Sequence, residues 1–268
     1  LTLARDGVAA RSLEGIVPAE RYLETTTRQT RLPSTALRRA PSSSAEQLDQ
    51  LLFGETFEVL DQASGWAFGQ AQRDGYVGYV EVAALAEHVV APTHTVRALR
   101  TYAFTEPNIK SAPTGLYSMN ALLTAGGQEG RFVKTSGGWF VADHLVPVGQ
   151  AEPDYVMVAE RFIGTPYFWG GRESLGLDCS GLVQQAFYAG GRTCPRDSDQ
   201  QAMLGEPVEI LQRGDLAFWR GHVAVMTSAT DIIHANGFHM AVAVEPLAVA
   251  IERISRSGGG EPTAFRRP

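Results

Sequence analysis

One thiol and two imidazoles carry the clearest chemistry in the chain. Cys179 follows a Gly-rich run, Trp169 to Gly176, and precedes an apolar helical face of Leu182, Val183, Ala186 and Phe187. At a helix start, unpaired backbone N–H groups and the positive helix end lower a thiol pKa and offer donors to a developing oxyanion. His222 opens one apolar strand-like run, and His234 closes another after Ile232-Ile233. If those strands pair through a hairpin near Thr227 to Asp231, both rings lie at one end of a sheet. Cys179 as nucleophile, His222 as general base and acid, and His234 as orienting partner then form a cysteine-hydrolase set in chain order. Two other readings stay open on these residues. They fit an inert core thiol beside structural histidines, or a Cys-His-His zinc site joined by a carboxylate such as Asp197.

The elements that must position this set lie in the last 120 or so residues, by the usual size of one domain. Tyr155 to Ile163 has helical spacing, stopped by Gly164-Thr165-Pro166, and the Cys179 helix ends at Gly190-Gly191. Strand-like runs follow at Asp215 to Trp219, His222 to Met226, Asp231 to His234 and Met240 to Val244. A short helix over Pro246 to Ile254 and a last strand near Thr263-Ala264-Phe265 complete an α+β pattern rather than alternating βαβ units.

The earlier part of the chain reads as short strands. Phe57 to Leu60, the turn Ala63-Ser64-Gly65, Trp66 to Gly69, the hairpin signal Asp74-Gly75 and Tyr76 to Val80 fit a small barrel. Ser136-Gly137-Gly138-Trp139-Phe140 echoes Ser64-Gly65-Trp66-Ala67-Phe68, and Val141 to Leu145 echoes Val80 to Leu85. A duplicated barrel is the simplest account. Residues 1–35 read as an N-terminal arm and linker, with Thr25-Thr26-Thr27 and Arg28 as the linker.

Composition narrows the function classes. The chain has 268 residues, 44 % of them apolar, a formal net charge of −6 and no Lys/Arg block, which argues against a nucleic-acid partner. No apolar run is long enough for a membrane span. Two cysteines make neither a disulfide scaffold nor a four-cysteine zinc site. Cys194 reads as a structural thiol, and a bridge from it to Cys179 would block the proposed nucleophile.

Tyr167-Phe168-Trp169-Gly170-Gly171 and Asp178-Cys179-Ser180-Gly181-Leu182 resemble the nucleophile region of NlpC-type bacterial cell-wall cysteine peptidases. Arg213-Gly214-Asp215-Leu216 with Gly221-His222-Val223 is similar to their base-bearing strand, and Ile232-Ile233-His234-Ala235 to the segment with the orienting histidine. Residues 40 to 150 resemble bacterial SH3-like domains. The resemblance implies a multidomain chain of two small all-β SH3-like barrels, at 36–90 and 91–150, followed by an α+β papain-like peptidase domain at 151–268. It also implies an oxyanion hole formed by Tyr167 and the backbone N–H of Cys179, with no cofactor.

Pro195-Arg196-Asp197-Ser198 resembles a narrower subgroup, the γ-D-glutamyl-L-diamino-acid endopeptidases with two N-terminal SH3-like domains. That implies hydrolysis of murein peptides bearing a free N-terminal L-Ala, with release of L-Ala-γ-D-Glu. Asp197 would bind the ammonium, with Asp178, Ser180, Ser198 and Trp169 also in the substrate site. Glu55 and Tyr76 of the first barrel would cap the cleft against longer substrates. Wall-peptide recycling by a cytoplasmic monomer is the expectation. The alternatives are a periplasmic or secreted endopeptidase acting on intact peptidoglycan and a non-catalytic wall-binding module.

Overall fold

The computed structural model describes residues 2–268. They divide into two compact units, one ending at Val148 and the other spanning Gly149–Pro268.

The first unit is built from short antiparallel strands. A seven-stranded sheet runs in the order 85–86, 26–30, 56–63, 66–71, 77–81, 34–38 and 47–52. It closes on Leu37, Leu51, Phe57, Val59, Ala67 and Val80. Ser64 and Gly65 join two of its strands with φ of 52° and 83°, the left-handed pair that a two-residue hairpin of this twist requires. Thr26–Thr30, read from composition as linker, is instead a strand pairing with Thr56–Val59. Its threonines are β-branched, and that local preference prevails once a partner strand is present. The arm before it folds as well: Ala4–Arg5, Val8–Ala10 and Arg21–Leu23 form a three-stranded sheet, and Leu3 and Ala10 pack on Leu60 and Phe68.

Residues 94–147 form a three-stranded and a five-stranded sheet around Val96, Ala103, Tyr117, Leu123 and Phe140. The sequence echo has a structural counterpart. Each half has a hairpin turned at Ser64-Gly65 or Ser136-Gly137 and ends in a 3₁₀ turn, at Val82–Ala84 or Ala142–His144, and a short final strand; in the first half the strand Val77–Glu81 comes between hairpin and turn. Phe53 leaves the first core to pack edge-on against Tyr117 at 5.2 Å. Gly54 beside it has φ +79°, and a Cβ there would lie 2.1 Å from the Leu122 carbonyl oxygen, so only glycine fits this joint.

The second unit sets four helices against a six-stranded antiparallel sheet, with a two-stranded ribbon of Arg172–Glu173 and Gly176–Leu177 preceding it in sequence. Helix α1, Tyr155–Glu160, is capped by Asp154, whose carboxylate accepts from the Val156 and Met157 N–H groups. Helix α2 is Cys179–Ala189, α3 is Ser198–Gln201 and α4 is Leu247–Arg256. Helix α3 is a single turn. Asp197 precedes it without a capping bond from its side chain. The sheet runs in the order Glu206–Pro207, Ala264–Arg267, Leu216–Trp219, His222–Met226, Asp231–Asn236 and Ala241–Pro246. Ala217, Trp219, Ala224, Met226 and Ile232 line one face and pack on Leu247 and Ala250 of α4. No helix among the described residues is long and apolar enough to cross a membrane.

Candidate active site

Cys179 is the first residue of α2 and is buried. Asp178 precedes it as the helix cap, and Oδ1 accepts from the Gly181 N–H at 2.8 Å. The Gly-rich loop approaches closely: a Cβ on Gly181 would stand 2.4 Å from the Gly171 carbonyl oxygen. Asp178 Oδ2 also accepts from the Gly170 N–H at 2.9 Å, which ties that loop to the helix start.

The expected pKa drop at the helix end does not occur. Burial pushes the Cys179 thiol up to about 12, and the Asp178 charge adds to the rise. The backbone N–H groups of Val223 and Ser180 favour the thiolate but do not outweigh burial. The resting sulfur is therefore a protonated thiol, which needs a base during attack.

Strand register supplies that base. His222 opens its strand directly opposite Trp219, with ring centroids 5.8 Å apart. His234 lies two strand positions from Ile232, which pairs with Glu245, so His234 and Glu245 emerge on the same sheet face. The contacts follow: His222 Nε2 is 2.8 Å from His234 Nδ1, and His234 Nε2 is 2.7 Å from Glu245 Oε1. A carboxylate only accepts, so His234 Nε2–H donates to Glu245 and its Nδ1 carries a lone pair. His222 Nε2–H then donates to His234, which leaves His222 Nδ1 as a bare acceptor suited to take the thiol proton.

Both histidines are held neutral. Burial, with the Arg253 charge, lowers His222 to about 4. Burial, then His222, Arg253 and His239, lowers His234 to about 2. Glu245 ends the chain and is itself paired with Arg253. His234, His239 and Glu245 bring one donor atom each within 4.8 Å of one another. A divalent ion there would face the Arg253 guanidinium and displace the His234–Glu245 bond, so these residues fit a proton relay better than a metal site. Asp197 belongs to neither group.

Tyr167 is half-buried. Its phenol pKa is raised by burial and by the neighbouring Cys179 and Asp178, so its hydroxyl stays protonated within the field of the sulfur. Trp169 is exposed in the same loop. Ser180 Oγ donates to Asp178 Oδ1 at 3.2 Å and accepts from Arg196 Nη1 at 2.8 Å. Arg196 is 1 % exposed and grips Asp178 with both terminal nitrogens, at 3.0 and 2.6 Å. The Asp178 charge is thus already paired inside the protein. Asp197 and Ser198 follow Arg196 at the start of α3.

In the other unit Glu55 is buried. It binds Arg73 at 2.6 Å and accepts from the Leu52 N–H at 3.1 Å, while Arg73 also donates to the Asn120 carbonyl. Tyr76 packs on the core of the first barrel. Each is thereby engaged within the first unit. Both cysteines are free, and Cys194 is buried, with its carbonyl accepting from Tyr188 and Gln184.

The NlpC/P60 family model matches residues 164–251, the span that holds Tyr167, Cys179, His222, His234 and Glu245. This chain carries an NlpC/P60 domain. A bacterial dipeptidyl-peptidase Sh3 domain model matches residues 37–85. Ahead of the NlpC/P60 domain, therefore, stands an SH3-type domain. Gamma-D-glutamyl-L-lysine dipeptidyl-peptidase of Bacillus subtilis (strain 168) is 30 % identical over 188 residues, covering 63 % of either chain. Dipeptidyl-peptidase 6 of Lysinibacillus sphaericus is 36 % identical over 101 residues, covering 36 % of either chain. The chain therefore spans between about a third and just under two thirds of these curated relatives. An NlpC/P60 family protein from Bacillus cereus ATCC 10987 shares the fold with a TM-score of 0.77 at 20 % identity, over 90 % of this chain and 99 % of that one.

Arg196 and Glu245 were not singled out by motif. Arg196 stands in the segment Pro195 to Ser198, but nothing local ties it to Asp178, 18 residues earlier. Glu245 gave a fainter one, a lone acid in an otherwise apolar strand.

Proposed function

We propose that the NlpC/P60 domain is a cysteine peptidase cutting the γ-D-glutamyl–L-diamino-acid bond of murein peptides with a free N-terminal L-Ala. The observation that carries the chemistry is the hydrogen-bond chain from His222 through His234 to Glu245, which leaves one basic nitrogen on His222, the neighbour of Val223 whose backbone N–H reaches the buried Cys179 thiol. Sγ of Cys179 attacks the γ-carbonyl carbon as His222 Nδ1 takes the thiol proton. The tetrahedral oxyanion is met by the Cys179 N–H and the Tyr167 hydroxyl. Collapse breaks the C–N bond, and His222 returns its proton to the departing amine. Water then attacks the thioester with His222 again as base, releasing L-Ala-γ-D-Glu and the thiol. No cofactor enters this balance.

The substrate rests on the similarity to dipeptidyl-peptidases in both domains and on Asp197 as the carboxylate for the substrate ammonium. We take residues 91–148 as a second SH3-like barrel, supported by the repeated hairpin, 3₁₀ turn and final strand. A monomer that recycles already released peptides in the cytoplasm is the setting this specificity suits.

The test is hydrolysis of L-Ala-γ-D-Glu-L-Lys and of its meso-diaminopimelate counterpart, beside the N-acetylated peptides and intact sacculi, with Cys179→Ala as blank. Cleavage of the free-amine peptides alone is expected. Release from sacculi, or equal cleavage after acetylation, would move the function to a wall endopeptidase.

A further inference from the structure

A hollow of about 170 Å³ opens next to the relay, with His222 and His234 in its wall. Its walls include Trp219, Arg220, His222, Asn236, Phe238 and Arg253, but not Tyr167, Cys179, Asp178 or Asp197. No carboxylate lines it.

Two donors in its walls are unused. Trp219 is 3 % exposed, and its indole N–H is buried without a hydrogen-bond partner. Arg253 directs a terminal nitrogen to Glu245 and lies over the Phe238 ring at 4.5 Å, yet its Nε–H is also buried and unpartnered. A buried donor left without an acceptor is costly, so a small turn of either wall residue toward an acceptor held in the hollow is favoured. Arg220 adds charge at the rim: it is exposed and makes no hydrogen bond or ion pair with the described residues.

The chemistry says which part of a substrate belongs there. The departing amine takes its proton from His222, so the residue bearing that amine must lie against His222. We propose that this hollow is the subsite for the leaving diamino acid and that it selects a carboxylate on that residue. The inference rests on the peptidase reading above. The carboxylate has two sources, the α-carboxylate of a chain-terminal diamino acid and the side-chain carboxylate of meso-diaminopimelate, and both present the same acceptor to Trp219, Arg220 and Arg253.

The experiment compares kcat/KM for four peptides: L-Ala-γ-D-Glu-L-Lys, its C-terminal amide, L-Ala-γ-D-Glu-meso-diaminopimelate, and that peptide amidated at its α-carboxyl. The lysine amide, which alone lacks any carboxylate on the leaving residue, is expected to be cut at least about 10-fold more slowly than the fastest of the other three. Arg220→Gln is expected to shrink that ratio to about 2-fold, and Trp219→Phe to shrink it about 3-fold. Good cleavage of the diaminopimelate amide assigns the side-chain carboxylate; slow cleavage of it assigns the α-carboxylate. Equal rates for all four peptides in the wild-type protein overturn the proposal. If no peptide is cut in a Cys179-dependent way, the peptidase reading fails instead, and product binding then decides the pocket. Calorimetry with free L-lysine, meso-diaminopimelate and L-lysinamide must show at least about 5-fold tighter binding of an acid than of the amide, a preference that Arg220→Gln abolishes; equal binding of all three overturns the pocket as well.

Discussion

Two guanidinium–carboxylate pairs flank the proposed chemistry. Asp178 and Arg196 are joined by two bonds, and the remaining acceptor capacity of Asp178 goes to Gly170, Gly181 and Ser180. Every partner belongs to the loop or helix that presents Cys179, so this pair fixes position. Glu245 and Arg253 differ in one respect: Glu245 also holds His234, which holds His222. Positive charge arising on His222 during turnover is felt there. The same ion pair is a buckle on the nucleophile side and the end of a proton relay on the base side. What separates them is whether the carboxylate's other partners belong to the nucleophile's own loop and helix or to an imidazole of the relay.

Substitutions can break this contrast. His222→Ala removes the base and is expected to lower kcat about 10³–10⁴-fold with the thermal midpoint nearly unchanged, as checked by peptide hydrolysis and calorimetry. Arg196→Met should do the reverse in kind. It leaves Asp178 buried and unpaired, at a cost of about 3–5 kcal/mol in urea unfolding. If Arg196→Met keeps full stability, the buckle reading is wrong. Glu245→Gln keeps the shape of the relay's end but lets the amide present either its oxygen or its NH₂ to His234. Activity should drop about 10–100-fold, with a smaller loss of stability than for Arg196→Met. A Glu245→Gln protein with unaltered kcat would reduce Glu245 to a second buckle.

The two regions were unequally legible in the sequence. Cys179, His222 and His234 sit in local phrases, a Gly-rich run before a helix and two apolar strands around a turn, and these phrases survive in the fold as α2 and a hairpin. Glu245 could not be read the same way. In Ala241–Pro246 it looks like an outward-facing polar residue, and only the pairing of Ile232 with Glu245 turns it toward His234. Arg196 is close to the noted Asp197, but its partner Asp178 is met only after the chain folds back from α2 to α3. The thiol was misjudged for a related reason. The helix end is a local feature, whereas the burial that outweighs it comes from packing the whole unit. Thr26–Thr30 shows the same limit in the first unit, where a linker-like composition becomes a strand once Thr56–Val59 lies beside it.

Acid sharpens the comparison with the smallest effect. His234 is fully buried, and the titratable and charged groups facing it are His222, His239, Arg253 and Glu245. Its folded pKa of about 2 and that of His222, about 4, both lie below the ordinary value of 6.5. Below pH 6.5 the unfolded chain takes up protons that the folded chain refuses, so stability falls with pH from about 6.5 down to about 4. Each histidine contributes up to about 1.4 kcal/mol per pH unit across that window. In His234→Asn one of these two contributions is gone. Urea midpoints at pH 7, 6, 5 and 4.5 should therefore decline less steeply in the variant than in the wild-type protein, whatever their values at pH 7. Parallel declines would mean that His234 accepts a proton in the folded state. Glu245 would then act as a plain counter-ion, like Asp178, and the distinction between relay and buckle would be lost.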